Sequence, residues 1–212
     1  MTTIESHPDA PEGSVEHIGI YDAEVFTRGS AILCRNTAPL VAFAYGLLQR
    51  DIPCRILGKD IGATLISIIK KQRAQTLDEL QDRLKVWLDR EVERCHKDDR
   101  SPEPTYDKFE CLGYFINSLD EESRSVSDLV AKIELMFTDA TNGESSSRVT
   151  LSTIHKAKGL EYHTVFLLNW SLLPSRFATK EWQQVQERNL QYVAITRSKD
   201  RLVYINSEMW KD

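Results

Sequence analysis

The chain has 212 residues, of which 41% are hydrophobic and 28% charged, with a formal net charge of −5 at pH 7. That composition is ordinary for a globular chain and excludes a disordered polyelectrolyte, a collagen-like repeat and a disulfide-dense miniprotein. No apolar run approaches the roughly 18 residues of a membrane span, and the polar, acidic start MTTIESHPDAPEGS has neither region of a secretory signal, so a cytoplasmic protein with no membrane partner is expected.

Residues 1–28 hold six acids against one base, carry the equivalent of the whole −5, and lack apolar periodicity up to residue 20. They read as a flexible acidic tail or a linker. Ala31–Cys34 is a short apolar run of the kind that forms a buried strand. A helix is expected over about 39–50, with Leu40, Phe43, Leu47 and Leu48 at helical spacing and Pro39 in the first turn. Ile52–Leu57 reads as a second strand, which makes a βαβ unit with parallel strands.

The middle of the chain changes character. Leu77, Leu80, Leu84, Trp87, Leu88 and Val92 recur at three and four residues in a charged stretch, which predicts an amphipathic helix of about 20 residues. Residues 98–104 read as a linker. Phe109, Leu112, Ile116 and Leu119 mark a second helix, and Val126, Leu129, Ile133, Met136 and Phe137 a third, followed by a loop over 139–147. The α/β pattern then resumes with strands at 149–152 and 164–168, a helix over 181–196 and a last strand at 202–205. The expectation is an α/β fold: a mostly parallel sheet of five strands with helices on both faces, built from 29–60 and 148–212 and interrupted by a helical insertion at 61–147. Charge follows this division. Segments 29–59 and 148–212 carry +3 and +4, whereas 60–147 carries −7. Cys34, Cys54, Cys95 and Cys111 are too widely spaced for a zinc site and read as reduced, buried thiols.

Three segments carry chemistry. AILCRN (31–36) is followed by IPCRILG (52–58). VTLSTIHKAKGLEYHTVFLLN (149–169) is followed by LPS (173–175). QERNLQYVAITRSKDRL occupies 186–202. In order and content they resemble motifs IV, V and VI of the UvrD/Rep-type superfamily 1 DNA helicases, in the second, RecA-like motor domain of those enzymes. The phrases T-x-H-x-A-K-G-L-E and Y-V-A-x-T-R are the most specific.

The resemblance implies roles. Arg35, just past a strand end where parallel sheets bind ligands, would meet nucleotide phosphate with its forked guanidinium. Arg197 would be an arginine finger reaching across to a first motor domain. Gly159 and Glu161 would lie on the nucleotide side, with Gly159 allowing close backbone approach. Thr153 and His155 would contact single-stranded DNA. Lys158 could contact DNA phosphate or an internal carboxylate. Arg188 would have a structural or interdomain role. Asn189, where the family often has a second arginine, has no assigned role. Tyr192, Val193 and Ile195 read as core-facing; Trp170, Trp182 and Trp210 could stack on bases, with ordinary packing the preferred reading. The insertion falls where this family places an accessory subdomain, and its −7 argues against a strong grip on phosphates.

A phosphate loop is missing from the sequence. The only Gly-Lys is Gly58–Lys59, with Pro53 where G-x-x-x-x-G-K-S/T needs its first glycine and Asp60 where it needs the hydroxyl. No apolar strand ends in an Asp-Glu pair. The expected function is therefore the C-terminal motor domain of a 3′–5′ ATP-dependent DNA helicase, sharing ATP and Mg2+ with a separate first motor domain and inactive alone. The alternative is a non-enzymatic module that binds DNA or a helicase partner.

Overall fold

The structure is a computed structural model that describes residues 12–120, 124–138 and 148–208. Among these residues seven strands form one sheet: β1 (Ser14–His17), β2 (Ala31–Cys34), β3 (Cys54–Leu57), β4 (Phe137–Thr138), β5 (Val149–Thr153), β6 (Tyr162–Leu168) and β7 (Ser198–Ile205). Their order across the sheet is β1-β7-β6-β2-β5-β3-β4, and every pairing is parallel. Among the described residues six α-helices accompany them: α1 (Thr37–Leu48), α2 (Lys59–Gln72), α3 (Leu77–Lys97), α4 (Glu103–Asn117), α5 (Val126–Met136) and α6 (Glu181–Ile195).

Alternation along the strands sets two apolar layers. Ala31 and Leu33 of β2 face one way, with Val165, Leu167 and Leu202, and pack against Leu190 and Ala194 of α6. Ile32 and Cys34 face the other way, with Leu151, Phe166 and Val203, and meet α1 through Leu40, Phe43 and Leu47. A period-two strand between two helical layers must be apolar on both faces, and all four residues of β2 are buried. The doubly covered parallel sheet is the RecA-like α/β arrangement that the motifs imply.

The structure departs from the sequence reading in several places. Residues 14–17, expected in the flexible tail, form an edge strand beside β7, where Arg201 donates to both carboxylate oxygens of Glu16 at 2.8 Å. α2, rich in isoleucine and not predicted as a helix, covers the sheet beside β4 and α5 through Leu65, Ile66, Ile68 and Ile69. β4 adds a further strand. The insertion also shares its core with the sheet: Leu80, Leu84, Leu112, Phe115, Leu129 and Ile133 belong to the same apolar cluster as Ile32 and Phe166. Periodicity locates helices but says nothing about which apolar faces meet, so the block read from sequence as separate. The expected loop at 139–147 and Trp210 lie outside the described residues.

Helix ends are closed by local chemistry. Thr76 accepts from Glu79 N–H at the start of α3, and Ser125 and Asp128 form a reciprocal box at α5. α4 begins at Glu103, inside the expected linker, because Pro102 and Pro104 are tolerated in a first turn. All four cysteines are free. Burial pushes the Cys34 and Cys54 thiols up to about 12, which leaves them protonated and unreactive at neutral pH.

Candidate functional site

Because every strand runs the same way, the sheet has two distinct edges. Arg35 follows β2, and Ile154 follows β5, at the carboxyl edge. Glu161 precedes β6 and Arg197 precedes β7, at the amino edge. The register places Tyr162 beside Ser198 and Leu33 beside Leu167, so the two edges are separated by the length of β6, roughly 20 Å at a parallel strand's rise.

At the carboxyl edge, Arg35 is enclosed by carboxylates. Its Nε and Nη2 donate to the two oxygens of Glu187 at 3.1 and 2.9 Å, and Nη2 also reaches Glu103 at 3.3 Å. Glu187 lies on α6 and is buried, and its Oε2 also accepts from Ser175 N–H at 2.9 Å. Ser175 Oγ donates to Glu103 at 2.7 Å. One arginine thereby ties together β2, α4, α6 and the turn at 173–175. Burial raises the Glu187 carboxyl, but the bonds from Arg35 and Ser175 outweigh it and leave the group below the usual glutamate range.

A second carboxylate of α4 completes the arrangement. Asp107 accepts from the backbone N–H groups of Thr37 and Ala38 at 3.0 and 2.8 Å. A helix N-terminus is an anion site, and here α4 fills it. Glu103 and Asp107, one turn apart, thus dock α4 onto the β2–α1 junction.

Next to Arg35 is an open hollow of about 340 Å3 lined by His155, Lys158, Gln186, Asn189 and Val193 among others. Thr153 closes β5 beneath it, with its Oγ1 accepting from Lys156 N–H at 3.4 Å. Lys156 itself pairs with Asp60 at 2.7 Å. His155 keeps an exposed surface, yet crowding of its ring lowers its pKa, the Arg35 charge lowers it further, and Glu187 and Glu103 oppose this in part. The expected result is a His155 ring that is neutral at pH 7, with a titration midpoint below about 6.5. Ring-proton NMR, assigned with His155→Gln, checks it; a midpoint at or above that value contradicts the environment described.

At the amino edge, Arg197 is held by its own backbone surroundings. Nε donates to Val193 O at 2.9 Å, Nη1 to Leu160 O at 3.0 Å and Nη2 to Thr196 Oγ1 at 2.8 Å. Glu161 is exposed and paired with Lys199 at 3.3 Å. Gly159 has φ of +88°, in the left-handed region that favours glycine, and lets the chain turn from the upper edge toward β6.

The structure therefore brings Thr153, His155, Lys158 and Arg35 together at one edge, and Glu161 and Arg197 at the other. It does not bring Arg35 and Arg197 together, although the motif reading gave both to one nucleotide. The reason is strand polarity. Motif IV supplies a residue after its strand, whereas the arginine of motif VI stands before its own. Sequence reasoning missed Glu103, Asp107 and Ser175, whose roles depend on contacts 68 to 72 residues away along the chain. Glu187 lay inside the quoted QER phrase without a role.

α6 also turns an apolar face to solvent. Trp182, Val185, Tyr192 and Ile195 are 57%, 41%, 52% and 42% exposed and lie on one side of the helix with Arg188 and Asn189. Tyr192, Ile195 and Trp182 are thus surface residues rather than the packing residues expected. Val193 does pack inward, and Trp170 stands edge-on to Tyr204.

Comparison with known proteins places these features. The model of the UvrD-like helicase C-terminal domain family matches residues 63–209. The chain is 40% identical over 72 residues to a probable DNA helicase II homolog of Mycoplasma capricolum, covering 32% of this chain and 10% of that protein. It is 37% identical over 84 residues to the ATP-dependent DNA helicase PcrA of Bacillus subtilis, covering 38% of this chain and 11% of the relative. A probable DNA helicase II homolog of Rickettsia conorii aligns over 168 residues at 27% identity, 69% of this chain and 26% of that protein. The aligned stretch is thus about a tenth of the length of the first two relatives.

Proposed function

Since the chain belongs to the UvrD-like helicase C-terminal domain family, we propose that it is the second motor domain of a 3′–5′ ATP-dependent DNA helicase. The observation that carries this reading is the separation of its motif residues onto two edges of one rigid sheet. The carboxyl edge, with Thr153, His155 and Lys158 around an open hollow, fits a single-stranded DNA track: a hydroxyl, a neutral imidazole and an ammonium can meet phosphates and bases. The amino edge, with Arg197 and Glu161, fits one wall of a nucleotide cleft.

ATP with its Mg2+ supplies the phosphoryl-transfer chemistry when bound. The sequence carries no G-x-x-x-x-G-K-S/T loop and no apolar strand ending in Asp-Glu, so this reading assigns the metal's protein ligands and the phosphate cradle to a first motor domain. This chain contributes the guanidinium of Arg197, which on leaving its backbone acceptors can face charge on the terminal phosphate. The exposed face of α6 leads to Arg197 and is the surface on which that first domain docks. Arg35 acts through Glu187, holding α6 against the sheet, since its fork would have to leave two carboxylates to take phosphate.

The test is complementation. The chain alone hydrolyses no ATP above background, with or without single-stranded DNA. Mixed with a first motor domain of a related helicase, it restores DNA-stimulated hydrolysis in a steady-state assay. His155→Ala weakens the DNA stimulation while leaving basal hydrolysis nearly intact. Turnover by the chain alone would refute the two-domain reading. A first domain that binds the chain yet gives no turnover would favour a non-enzymatic binding module.

A further inference from the structure

The net charge of −7 over residues 60–147 hides an uneven distribution on α3. At 100° per residue, Arg83, Val86, Trp87, Arg90 and Arg94 fall in one column along the helix. Asp78, Asp82, Asp89 and Glu93 fall in the neighbouring column. The basic column, with Lys71 at the end of α2, lines a groove of about 590 Å3 in which four cations outnumber two carboxylates, Asp82 and Glu91; it is larger than the hollow beside His155.

Its cations are available. Lys71 and Arg90 have no hydrogen-bond or ionic partner among the described residues. Arg83 pairs with Glu79 at 2.5 Å and also donates to Gln72 O at the end of α2, and Arg94 pairs with Glu91 at 2.9 Å; both arginines are 46% exposed or more, and such surface ion pairs are readily exchanged. Trp87 packs partly against the core and shows its remaining surface in the groove, beside Val86 at 48% exposure.

We infer that the α2–α3 groove is a second binding site for the nucleic-acid backbone, taking single-stranded DNA beyond the track at the carboxyl edge. Arg83 to Arg94 span roughly 16 Å of helix, long enough to face several successive phosphates. An aromatic ring between cations is the combination that grips single strands without reading sequence. The column also leads somewhere: α3 ends at the turn to α4, whose Glu103 bonds Arg35 beside the His155 hollow, and Lys180 pairs with Asp99 of that turn. The inference rests on the DNA-binding reading of the carboxyl edge.

The experiment uses the whole chain and a fluorescently labelled oligodeoxynucleotide, followed by anisotropy over a salt series. The double variant Lys71→Glu/Arg90→Glu weakens binding about tenfold or more and lowers the slope of log K against log salt by about 2. Asp89→Asn, in the acidic column, does not weaken it. Quenching of tryptophan emission by the oligonucleotide falls in Trp87→Phe. The carboxyl-edge variant Lys158→Ala/His155→Ala is measured in parallel. If it weakens binding while the groove variant leaves affinity and salt slope unchanged, the groove proposal is overturned and the track stands. If neither changes binding, both fail. Equal displacement of the oligonucleotide by polyglutamate would assign the groove to an acidic protein and overturn the DNA assignment.

Discussion

Replacing Arg197 with alanine in the reconstituted two-domain enzyme should lower ATP turnover about a thousandfold or more, the range seen when an arginine finger is lost from related NTPases. The argument is one of charge timing. A guanidinium facing the terminal phosphate matters most as charge builds on the departing group, so its loss is felt in turnover more than in binding. In the structure the side chain is parked on Val193 O, Leu160 O and Thr196 Oγ1. Each of these neutral acceptors contributes only about 1 kcal/mol net, so their exchange for a phosphate is favourable. Arg197→Lys should recover only part of the rate, because a point charge cannot reproduce the fork. Steady-state ATPase assays on the wild-type and variant pairs check this. Unchanged turnover by Arg197→Ala in an active pair would remove the finger assignment.

The second large effect is on stability. Glu187→Ala should destabilise the chain by about 3 kcal/mol, because it leaves Arg35 largely buried with only Glu103 for company and strips the Ser175 N–H of its acceptor. Glu103→Ala should cost less, since its bond to Arg35 is the longer one and its removal leaves the bidentate pair intact. The dependence on pH has a definite sign. Glu187 titrates below its ordinary value in the folded chain. Its contribution is therefore complete above the unfolded pKa of about 4.3 and is lost as pH falls through the lower folded value. The stability gap between wild type and Glu187→Gln should shrink below about pH 4. Urea denaturation at several pH values measures it, and a gap that does not change with pH would mean that the Arg35 pair contributes nothing specific.

Much of the fold was legible in the sequence, for reasons that differ by element. β2 stood out because a strand buried on both faces must be apolar in succession, and β5 and the end of β7 because of their β-branched and apolar residues. α3 stood out because its core contacts all lie on one side. β1 did not, since Ser14, Val15 and His17 are exposed and only its pairing with β7 makes it a strand. β6 begins two residues early, at Tyr162 and His163, for the same reason: the ladder with β7, not apolar content, holds it there. The site was legible where motif V and motif VI carry it in short phrases. Glu103 and Asp107 were not, because their meaning depends on α4 crossing above β2, and no local pattern announces a long-range contact. The polarity that separates Arg35 from Arg197 could have been read from the order of strand and arginine in each motif.

The pairing of β1 with β7 has a consequence for how the chain is made. Val15 sits beside Leu202, so the first strand described waits for the last before it has a partner. During synthesis at about 5–20 residues per second, that is on the order of ten seconds or more in which the strand has no neighbour to join. The sheet's other pairings are also parallel and long-range, and such topologies fold slowly because loop closure must come before any contact compensates for it. The helices from α1 to α5 are synthesised before β5, β6 and β7, and the middle of the sheet and its β1 edge can pair only once those last strands have emerged.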